Sequence, residues 1–292
     1  MLKAIKPEIV KPSKPKFLIS GKSGVGKTRF AISFEKPYFI DTEGGAVRKQ
    51  YMSSLINSQG GYFGKEQGSQ DFNIVIEEIK TLATTKHDYK TLVLDSFSKL
   101  YNMAAAIAEG EVGSDYGRDK KEANKPTRQL MRWLEKIDMN VILVCHQKDK
   151  WERKGKDIAC VGTTFDGWDK LEYDLDLWIE IQKMGTERFF TVKKSRIDAF
   201  PEGQEFPLEY KKFCELYGED VINAPVSPLI MATPAQVAEI KRLIETVRLD
   251  EEIIKKWLAK ANVEDFDEMS SEQINKCIAF IKSKLKDVGE AA

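Results

Sequence analysis

The sequence predicts an α/β fold in which a mostly parallel β-sheet lies between helices, followed by a small helical module. Six short apolar segments have the composition of buried strands: Phe17–Ser20, Tyr38–Ile40, Thr91–Leu94, Val141–Cys145, Leu175–Ile181 and Phe189–Val192. Helical patterns separate the earlier segments, and this alternation is typical of a parallel sheet that is covered on both faces. The last segments have no helix between them, which predicts an antiparallel extension of the sheet.

Proline clusters divide the chain, and the segments on either side of them differ in pattern. Residues 1–15 hold three prolines and are expected to form an extended arm. A second cluster precedes three amphipathic helical patterns that begin after the capping residues Thr233, Asp250 and Ser270; two of these have Gln three residues later, as in a capping box. The expected organisation is an arm, an α/β core, a linker and a small three-helix domain: residues 1–15, 16–224, 225–233 and 234–288.

Two polar segments inside the core are expected to be long loops. Residues 109–126 and 148–170 are rich in glycine and in charged residues, and loops of this length in a compact domain are usually functional or disordered. Their basic side chains are compatible with a nucleic-acid track on one face of the protein. Charged runs are also common in solvated loops, so composition leaves both interpretations open.

The overall composition excludes several classes of protein. Lys and Arg total 46, as do Asp and Glu, and the resulting net charge of zero argues against a surface that binds polyanions everywhere. No apolar run approaches the roughly 20 residues that cross a bilayer, so no membrane partner is expected. A zinc site at Cys145-His146 is not expected, because His87 is the only other histidine. The cysteines lack C-x-x-C spacing and are expected to be reduced thiols of a cytoplasmic protein: Cys145, Cys160, Cys214 and Cys277.

A glycine-rich segment matches the motif G-x-x-x-x-G-K-[ST], and it lies between a strand-like run and a helical pattern, as a phosphate-binding loop requires. Its glycines let backbone N–H groups surround the phosphates. Lys27 would contact the β- and γ-phosphates, and the Thr28 hydroxyl would bind Mg²⁺. The sequence therefore predicts that ATP and Mg²⁺ are bound through this P-loop and its flanks: Gly21, Lys22, Ser23, Gly24, Val25, Gly26, Lys27, Thr28 and Arg29.

Polar residues follow three further apolar strands at their carboxyl ends, where ligands bind in open α/β sheets. Glu43, in Asp41-Thr42-Glu43-Gly44, can orient the water that attacks the γ-phosphate, although strand-end acids also cap helices. Asp95 has the position of a Walker B acid that holds Mg²⁺ through water. Gln147 follows a later strand, where an amide can sense the γ-phosphate or simply end the strand.

These motifs, in this order, resemble those of RecA-type recombinases, especially the archaeal and eukaryotic ones. The resemblance covers about residues 15–215. It implies a RecA-like P-loop NTPase core in which Glu43 is the general base, Asp95 is the acid on the magnesium side, and Gln147 couples ATP to DNA. It also implies that the two long segments are DNA-binding loops. The side chains expected to contact DNA are basic or aromatic: Arg118, Lys120, Lys121, Lys148, Lys150, Trp151, Arg153, Lys154 and Lys156.

Within this group, the chain resembles phage-encoded RecA cores of the single-strand annealing type, through Gln147–Trp151 and the short helical tail. Lys194-x-Arg196 resembles the K-x-R element with which bacterial RadA and replicative helicases reach the γ-phosphate of a neighbouring subunit. The resemblance therefore implies a homo-oligomer with catalytic sites at subunit interfaces. The N-terminal domain and polymerisation motif of the recombinases are not recognised, which leaves ring and filament open.

The function that the resemblance implies is an ATP-dependent DNA recombination protein that binds single-stranded DNA, promotes annealing or pairing, and hydrolyses ATP in response to DNA. A single-strand DNA-binding protein or a replication factor in the host cytosol is a further expected partner. The alternative is a nucleotide-gated partner-binding ATPase, such as a helicase loader or a partition-type regulator. Lys22 favours this alternative, because partition ATPases carry an extra P-loop lysine that acts across a dimer. Ser23, where they have Gly, and the Glu43 segment argue against it.

Overall fold

The structure is a computed structural model that describes residues 12–45, 49–113, 118–155 and 157–289. The described residues form ten strands: β1 (Lys16–Ser20), β2 (Pro37–Asp41), β3 (Gly61–Phe63), β4 (Thr91–Asp95), β5 (Asn140–Val144), β6 (Gln147–Lys154), β7 (Asp157–Phe165), β8 (Leu177–Met184), β9 (Glu187–Ser195) and β10 (Glu205–Pro207). The same residues form eleven α-helices: α1 (Lys27–Ile32), α2 (Lys49–Asn57), α3 (Phe72–Thr84), α4 (Phe97–Val112), α5 (Arg118–Lys136), α6 (Leu171–Asp174), α7 (Tyr210–Tyr217), α8 (Glu219–Ile222), α9 (Pro234–Val247), α10 (Glu251–Ala261) and α11 (Ser271–Gly289).

Eight of the described strands form one sheet, in the order β10-β9-β8-β1-β5-β4-β2-β3. The six strands from β8 to β3 are parallel to one another. Strands β9 and β10 extend the sheet in antiparallel fashion, as expected. The arrangement confirms the predicted α/β fold with a mostly parallel sheet between helices.

Both faces of the sheet are buried, which explains why its central strands are apolar throughout. Leu18 and Leu143 belong to an apolar cluster with α3, α4 and α5 on one face. Phe17 and Ile142 belong to a second cluster with α1 and α7 on the other face. Because β1, β2, β4 and β5 are parallel, the polar residues that follow them meet at one edge of the sheet. We call this edge the carboxyl edge.

The expectation of two long loops is wrong for most of both segments. Most of residues 148–170 forms the antiparallel hairpin of β6 and β7. This hairpin was missed because charged residues with low strand propensity fill β6, so apolar alternation is absent. In residues 109–126, α4 continues to Val112 and α5 begins at Arg118, with Pro126 inside α5. Proline normally ends a helix, but Leu130, Trp133 and Leu134 of α5 are buried in the core, and this packing stabilises the helix.

The C-terminal residues form the three expected helices, α9, α10 and α11, around an apolar cluster of their own. The capping box at the start of α9 is present, with Gln236 N donating to Thr233 Oγ1 at 3.2 Å and Thr233 N donating to Gln236 Oε1 at 2.8 Å. The module contacts α5 through the ion pair Arg132–Glu264, at 2.9 Å. Among the described helices, none has both the length and the apolar character needed to span a membrane.

Candidate functional site

The P-loop lies at the carboxyl edge, between β1 and α1, and its shape requires glycine. A Cβ on Gly21 would lie 2.5 Å from the carbonyl oxygen of Ile181 in β8, so a side chain there would collide with backbone. Gly26 has a φ of 112°, in the left-handed region that other residues rarely adopt, and it precedes the first residue of α1. The sequence motif therefore corresponds to a loop whose backbone can approach a ligand closely.

Lys27 places its ammonium group inside this loop. Its Nζ donates to the carbonyl oxygens of Gly21, at 2.7 Å, and Lys22, at 2.9 Å. Burial lowers the pKa of Lys27, while the nearby charges of Asp95 and Glu43 oppose that shift. The structure thus holds a cation at the point where the motif predicts phosphate contact.

Thr28, in the first turn of α1, and Asp95, at the end of β4, are in contact at the carboxyl edge, although β5 lies between β4 and the strand β1 that precedes the P-loop. Thr28 Oγ1 donates to Asp95 Oδ2 at 2.5 Å. Burial raises the pKa of Asp95 to about 6, while the hydrogen bond from Thr28 opposes this shift. Hydroxyl and carboxylate oxygens are the hard donors that Mg²⁺ prefers, so this pair fits the predicted metal role.

Glu43 follows β2, and two donors share one of its carboxylate oxygens. Oε1 accepts a hydrogen bond from Ser96 Oγ at 2.6 Å and lies 2.5 Å from His146 Nε2. The hydrogen bond with His146 is the main cause that lowers the pKa of Glu43 to about 2, and the same contact raises the pKa of His146. Glu43 and His146 therefore form a charge-assisted pair.

Asp41 holds the segment that carries Glu43. Its Oδ1 accepts hydrogen bonds from the backbone N–H groups of Glu43, Gly44 and Gly45, at 3.0, 2.7 and 3.3 Å. Its Oδ2 accepts one from the Tyr62 hydroxyl at 3.1 Å. Asp41 is only 2% exposed, so its carboxylate shapes the turn after β2.

A cavity of about 900 Å³ joins these elements. The P-loop, Glu43, Asp95 and Gln147 all line it, so the structure brings together the residues that the motifs singled out around the predicted nucleotide. Five further lining residues were not predicted from the sequence as parts of this site: Gly45, Tyr51, Ser54, His146 and Arg188.

Arg188 is the most informative of the missed residues. It lies near the start of β9, and its Nε donates to the Val25 carbonyl of the P-loop at 3.1 Å. Its side chain also passes 3.2 Å from the position of a Cβ on Gly26. No local sequence signal identifies this residue, because its role depends on the antiparallel turn between β8 and β9.

Lys194 and Arg196 lie at the opposite edge of the sheet from the P-loop. Ser195 pairs with Leu177, which is level with Phe17 near the start of β1, whereas the P-loop follows the end of β1. Lys194 Nζ donates to the Leu175 carbonyl, and Arg196 pairs with Asp176 at 3.5 Å. Neither residue lines the nucleotide cavity of its own chain.

The hairpin separates the expected DNA-contacting residues onto two faces, because side chains alternate along a strand. Lys148 and Lys150 lie on one face, where they pair with Asp166 at 3.4 Å and Glu152 at 3.0 Å. Trp151 lies on the other face and is 61% exposed. Arg153 shares the face of Trp151, together with the exposed Ile158 opposite it.

The remaining expected DNA contacts are described only in part. Lys121 is exposed on α5. The backbones of Arg118 and Lys120 lie in α5 and that of Lys154 in β6, but their side chains are outside the described residues. The same holds for the whole of Lys156.

Comparisons with known proteins identify one family. A protein-family model described as "AAA domain" matches residues 13–199. No curated protein matches the sequence. Among solved structures, the crystal structure of the RadB recombinase is similar, with 15% sequence identity and a TM-score of 0.43, over 65% of this chain and 84% of that chain.

Proposed function

The chain belongs to the AAA domain family of P-loop ATPases, and we propose that it binds single-stranded DNA, hydrolyses ATP in response, and promotes annealing or pairing of DNA strands. One observation carries the proposal. The P-loop, Glu43 and Asp95 line the same cavity as His146 and Gln147, which lead directly into the exposed β6–β7 hairpin. A candidate DNA-binding element therefore starts at the wall of the candidate nucleotide site.

The residues of the cavity suit ATP hydrolysis. Lys27 and the P-loop N–H groups would bind the phosphates, and Thr28 with Asp95 would hold Mg²⁺. The metal would neutralise charge on the β- and γ-phosphates when it is bound. Glu43 would take the proton from the attacking water, since it is the acidic side chain of the cavity that is about two-fifths exposed. Its role is that of a general base.

The hairpin suits single-stranded nucleic acid. The exposed ring of Trp151 offers a stacking surface, and such contacts contribute about 1–3 kcal/mol per base. Arg153 on the same face can bind a phosphate. Lys148 and Lys150 would have to break their ion pairs with carboxylates before they could bind phosphates. We therefore expect each of them to contribute less to DNA affinity than Arg153.

A homo-oligomer is part of this proposal. Arg196 cannot serve its own cavity from the opposite edge of the sheet, but a second copy can present it to a neighbour's γ-phosphate. A cation in that place would stabilise the charge that develops during transfer. The ion pair between Arg196 and Asp176 would then break on assembly, and Arg196 would contact the γ-phosphate instead.

The decisive experiment measures ATP turnover with and without single-stranded DNA for the parent protein and for Glu43→Gln. We expect stimulation of the parent, and a loss on the order of 10²-fold or more in the variant with ATP binding retained, the usual scale for a general base. Glu66→Gln, at an exposed position near the same edge, is the matched control. Parental turnover in Glu43→Gln would remove Glu43 from this role.

A partner-gated ATPase, such as a helicase loader or partition-type regulator, is the second candidate. The observation that favours it is the exposed apolar pair Trp151 and Ile158 on one face of the hairpin, which also suits a protein surface. In that case single-stranded DNA would leave ATP turnover unchanged, and Trp151→Ala would not weaken DNA binding.

A further inference from the structure

We propose that Arg188 is a further nucleotide-binding residue, which contacts the α- and β-phosphates of a nucleotide bound to its own chain. This role rests on the proposed function, because it requires that the cavity at the carboxyl edge binds ATP. It also separates the residues that hold the nucleotide from those that act on the γ-phosphate. Arg188 lines this cavity and lies near the start of β9.

The backbone of Arg188 is held on both sides. Arg188 pairs with Lys183 across the tight turn between β8 and β9. On its other side, the N–H group of Leu208, just beyond β10, donates to the Arg188 carbonyl at 3.0 Å. The side chain therefore starts from a strand that is paired on both edges, and contacts built on such elements are more precise than contacts built on loops.

The guanidinium group of Arg188 uses only part of its donor capacity. Its Nε donates to the Val25 carbonyl at 3.1 Å, and its Cδ lies 3.2 Å from the position that a Cβ on Gly26 would take. Among the described residues, the terminal nitrogens Nη1 and Nη2 have no hydrogen-bond acceptor, and no carboxylate forms an ion pair with them. A guanidinium group is a permanent cation whose planar fork of donors matches the oxygens of a phosphate. A phosphate beside the P-loop would therefore supply the acceptors and the charge that Arg188 lacks.

The order of the strands indicates which phosphates Arg188 can reach. Strand β9 lies on one side of β1, whereas β4 and β2, which lead to Asp95 and Glu43, lie on the other side. The γ-phosphate is expected on the side of Asp95 and Glu43, because these are the proposed magnesium ligand and general base. The P-loop follows β1 and lies between the two sides, so Arg188 faces the part of the nucleotide that remains after hydrolysis. We therefore expect Arg188 to make the same contact with ATP and with ADP.

The test measures the affinity for ADP and for a non-hydrolysable ATP analogue by calorimetry, in the parent protein, Arg188→Ala and Arg188→Gln. The glutamine variant is closely matched, because its Nε2 is separated from Cα by as many bonds as the Nε of arginine. It can keep the hydrogen bond to the Val25 carbonyl while it removes the charged terminal nitrogens. The same variants are assayed for the KM and kcat of ATP hydrolysis, since a contact that is equal with substrate and product changes the KM and leaves kcat unchanged.

We expect both variants to weaken the binding of ADP and of the ATP analogue by the same factor, on the order of tenfold, as is usual for the loss of a hydrogen bond between charged groups. The KM for ATP should rise by a similar factor, with kcat near the parental value. Arg188→Lys keeps the charge but not the fork, so its affinities should lie between those of the parent and of Arg188→Gln. Lys183→Ala removes the other cation of the same turn, which does not line the cavity, and should leave both affinities unchanged.

Two results would overturn the assignment. Parental affinities in Arg188→Gln would mean that Arg188 only supports the P-loop through Val25. A loss confined to the ATP analogue, with ADP binding unchanged, would mean that Arg188 contacts the γ-phosphate instead. If Arg188→Ala does not fold, Arg188→Gln and Arg188→Lys still give both answers, because they keep most of the side chain. A parent protein whose turnover ignores single-stranded DNA would refute the proposed DNA function, while the nucleotide affinities of the variants would still test Arg188.

Discussion

Asp95→Asn should stabilise the protein at neutral pH in the absence of nucleotide and metal, while it abolishes hydrolysis. Asp95 is 9% exposed, and burial raises its pKa from the ordinary 3.8 to about 6. Asparagine has nearly the same shape, carries no charge, and keeps an oxygen that can accept the hydrogen bond from Thr28. The substitution therefore removes the ionised group and leaves the packing in place.

The magnitude follows from the two pKa values. The folded state binds the Asp95 proton more tightly than the unfolded state does, so this group favours folding at low pH and opposes it once it ionises. Stability from this source is lost as the pH rises from about 4 to about 6. At about 1.4 kcal/mol per pKa unit, ionised Asp95 costs on the order of 3 kcal/mol above pH 7. At pH 5 the cost is about half of that, because the unfolded chain is already ionised while the folded one is mostly protonated.

The assay is urea unfolding of the parent and of Asp95→Asn with a chelator present, at pH 7.5 and pH 5. The free energy of unfolding should be higher in the variant at pH 7.5, and the difference should shrink at pH 5. Asp198→Asn, at an exposed position, controls for the loss of a carboxylate elsewhere. A stability difference that is the same at both pH values, or a variant less stable than the parent at pH 7.5, would refute the reasoning.

Three further outcomes are expected. Lys27→Ala should lose binding of a fluorescent ATP analogue as well as turnover, because the loop loses its phosphate-binding cation; retained affinity would contradict this role. Mixing Arg196→Ala protein with Lys27→Ala protein should restore part of the lost turnover, because some interfaces then combine the intact P-loop of one subunit with the intact Arg196 of its neighbour. If the specific turnover of the parent protein stays constant on dilution to monomer, the sites are not shared between subunits. Residues 1–231, which keep Leu229 and Met231 packed against the core, should still bind single-stranded DNA; ATP turnover without DNA binding would assign the DNA contact to the helical tail.

The sequence allowed prediction of the parts of the site that depend on local pattern and on parallel topology. The P-loop motif specifies its own loop, and Glu43 and Asp95 follow apolar strands whose carboxyl ends must share an edge. Parallel pairing aligns Asp41 with Asp95, so the turn that carries Glu43 lies beside Asp95, the predicted Walker B acid. These placements need no knowledge of distant contacts.

The features that the sequence did not reveal depend on tertiary packing. The sequence predicts a loop up to Pro126, but α5 begins at Arg118 and contains Pro126, because the helix is held by its buried face in the core. The hairpin has few apolar residues, so its composition does not predict strands. It is held together by the antiparallel pairing of β6 with β7. Arg188 reaches the P-loop only because β8 and β9 turn back toward the carboxyl edge. His146 was considered as part of a metal site, whereas its partner in the structure is Glu43, more than 100 residues away.

The two acids after β2 illustrate why position alone could not assign their roles. Asp41 accepts hydrogen bonds from three backbone N–H groups with Oδ1 and from the Tyr62 hydroxyl with Oδ2. Removing this buried carboxylate would leave those donors without a partner and destabilise the turn. Glu43 bonds through Oε1 only, and no described residue donates a hydrogen bond to its Oε2. The free oxygen belongs to the more exposed side chain, which lines the same cavity as Lys27. Asp41 therefore holds the turn after β2 in place, and Glu43 is the acid that we propose for the proton transfer.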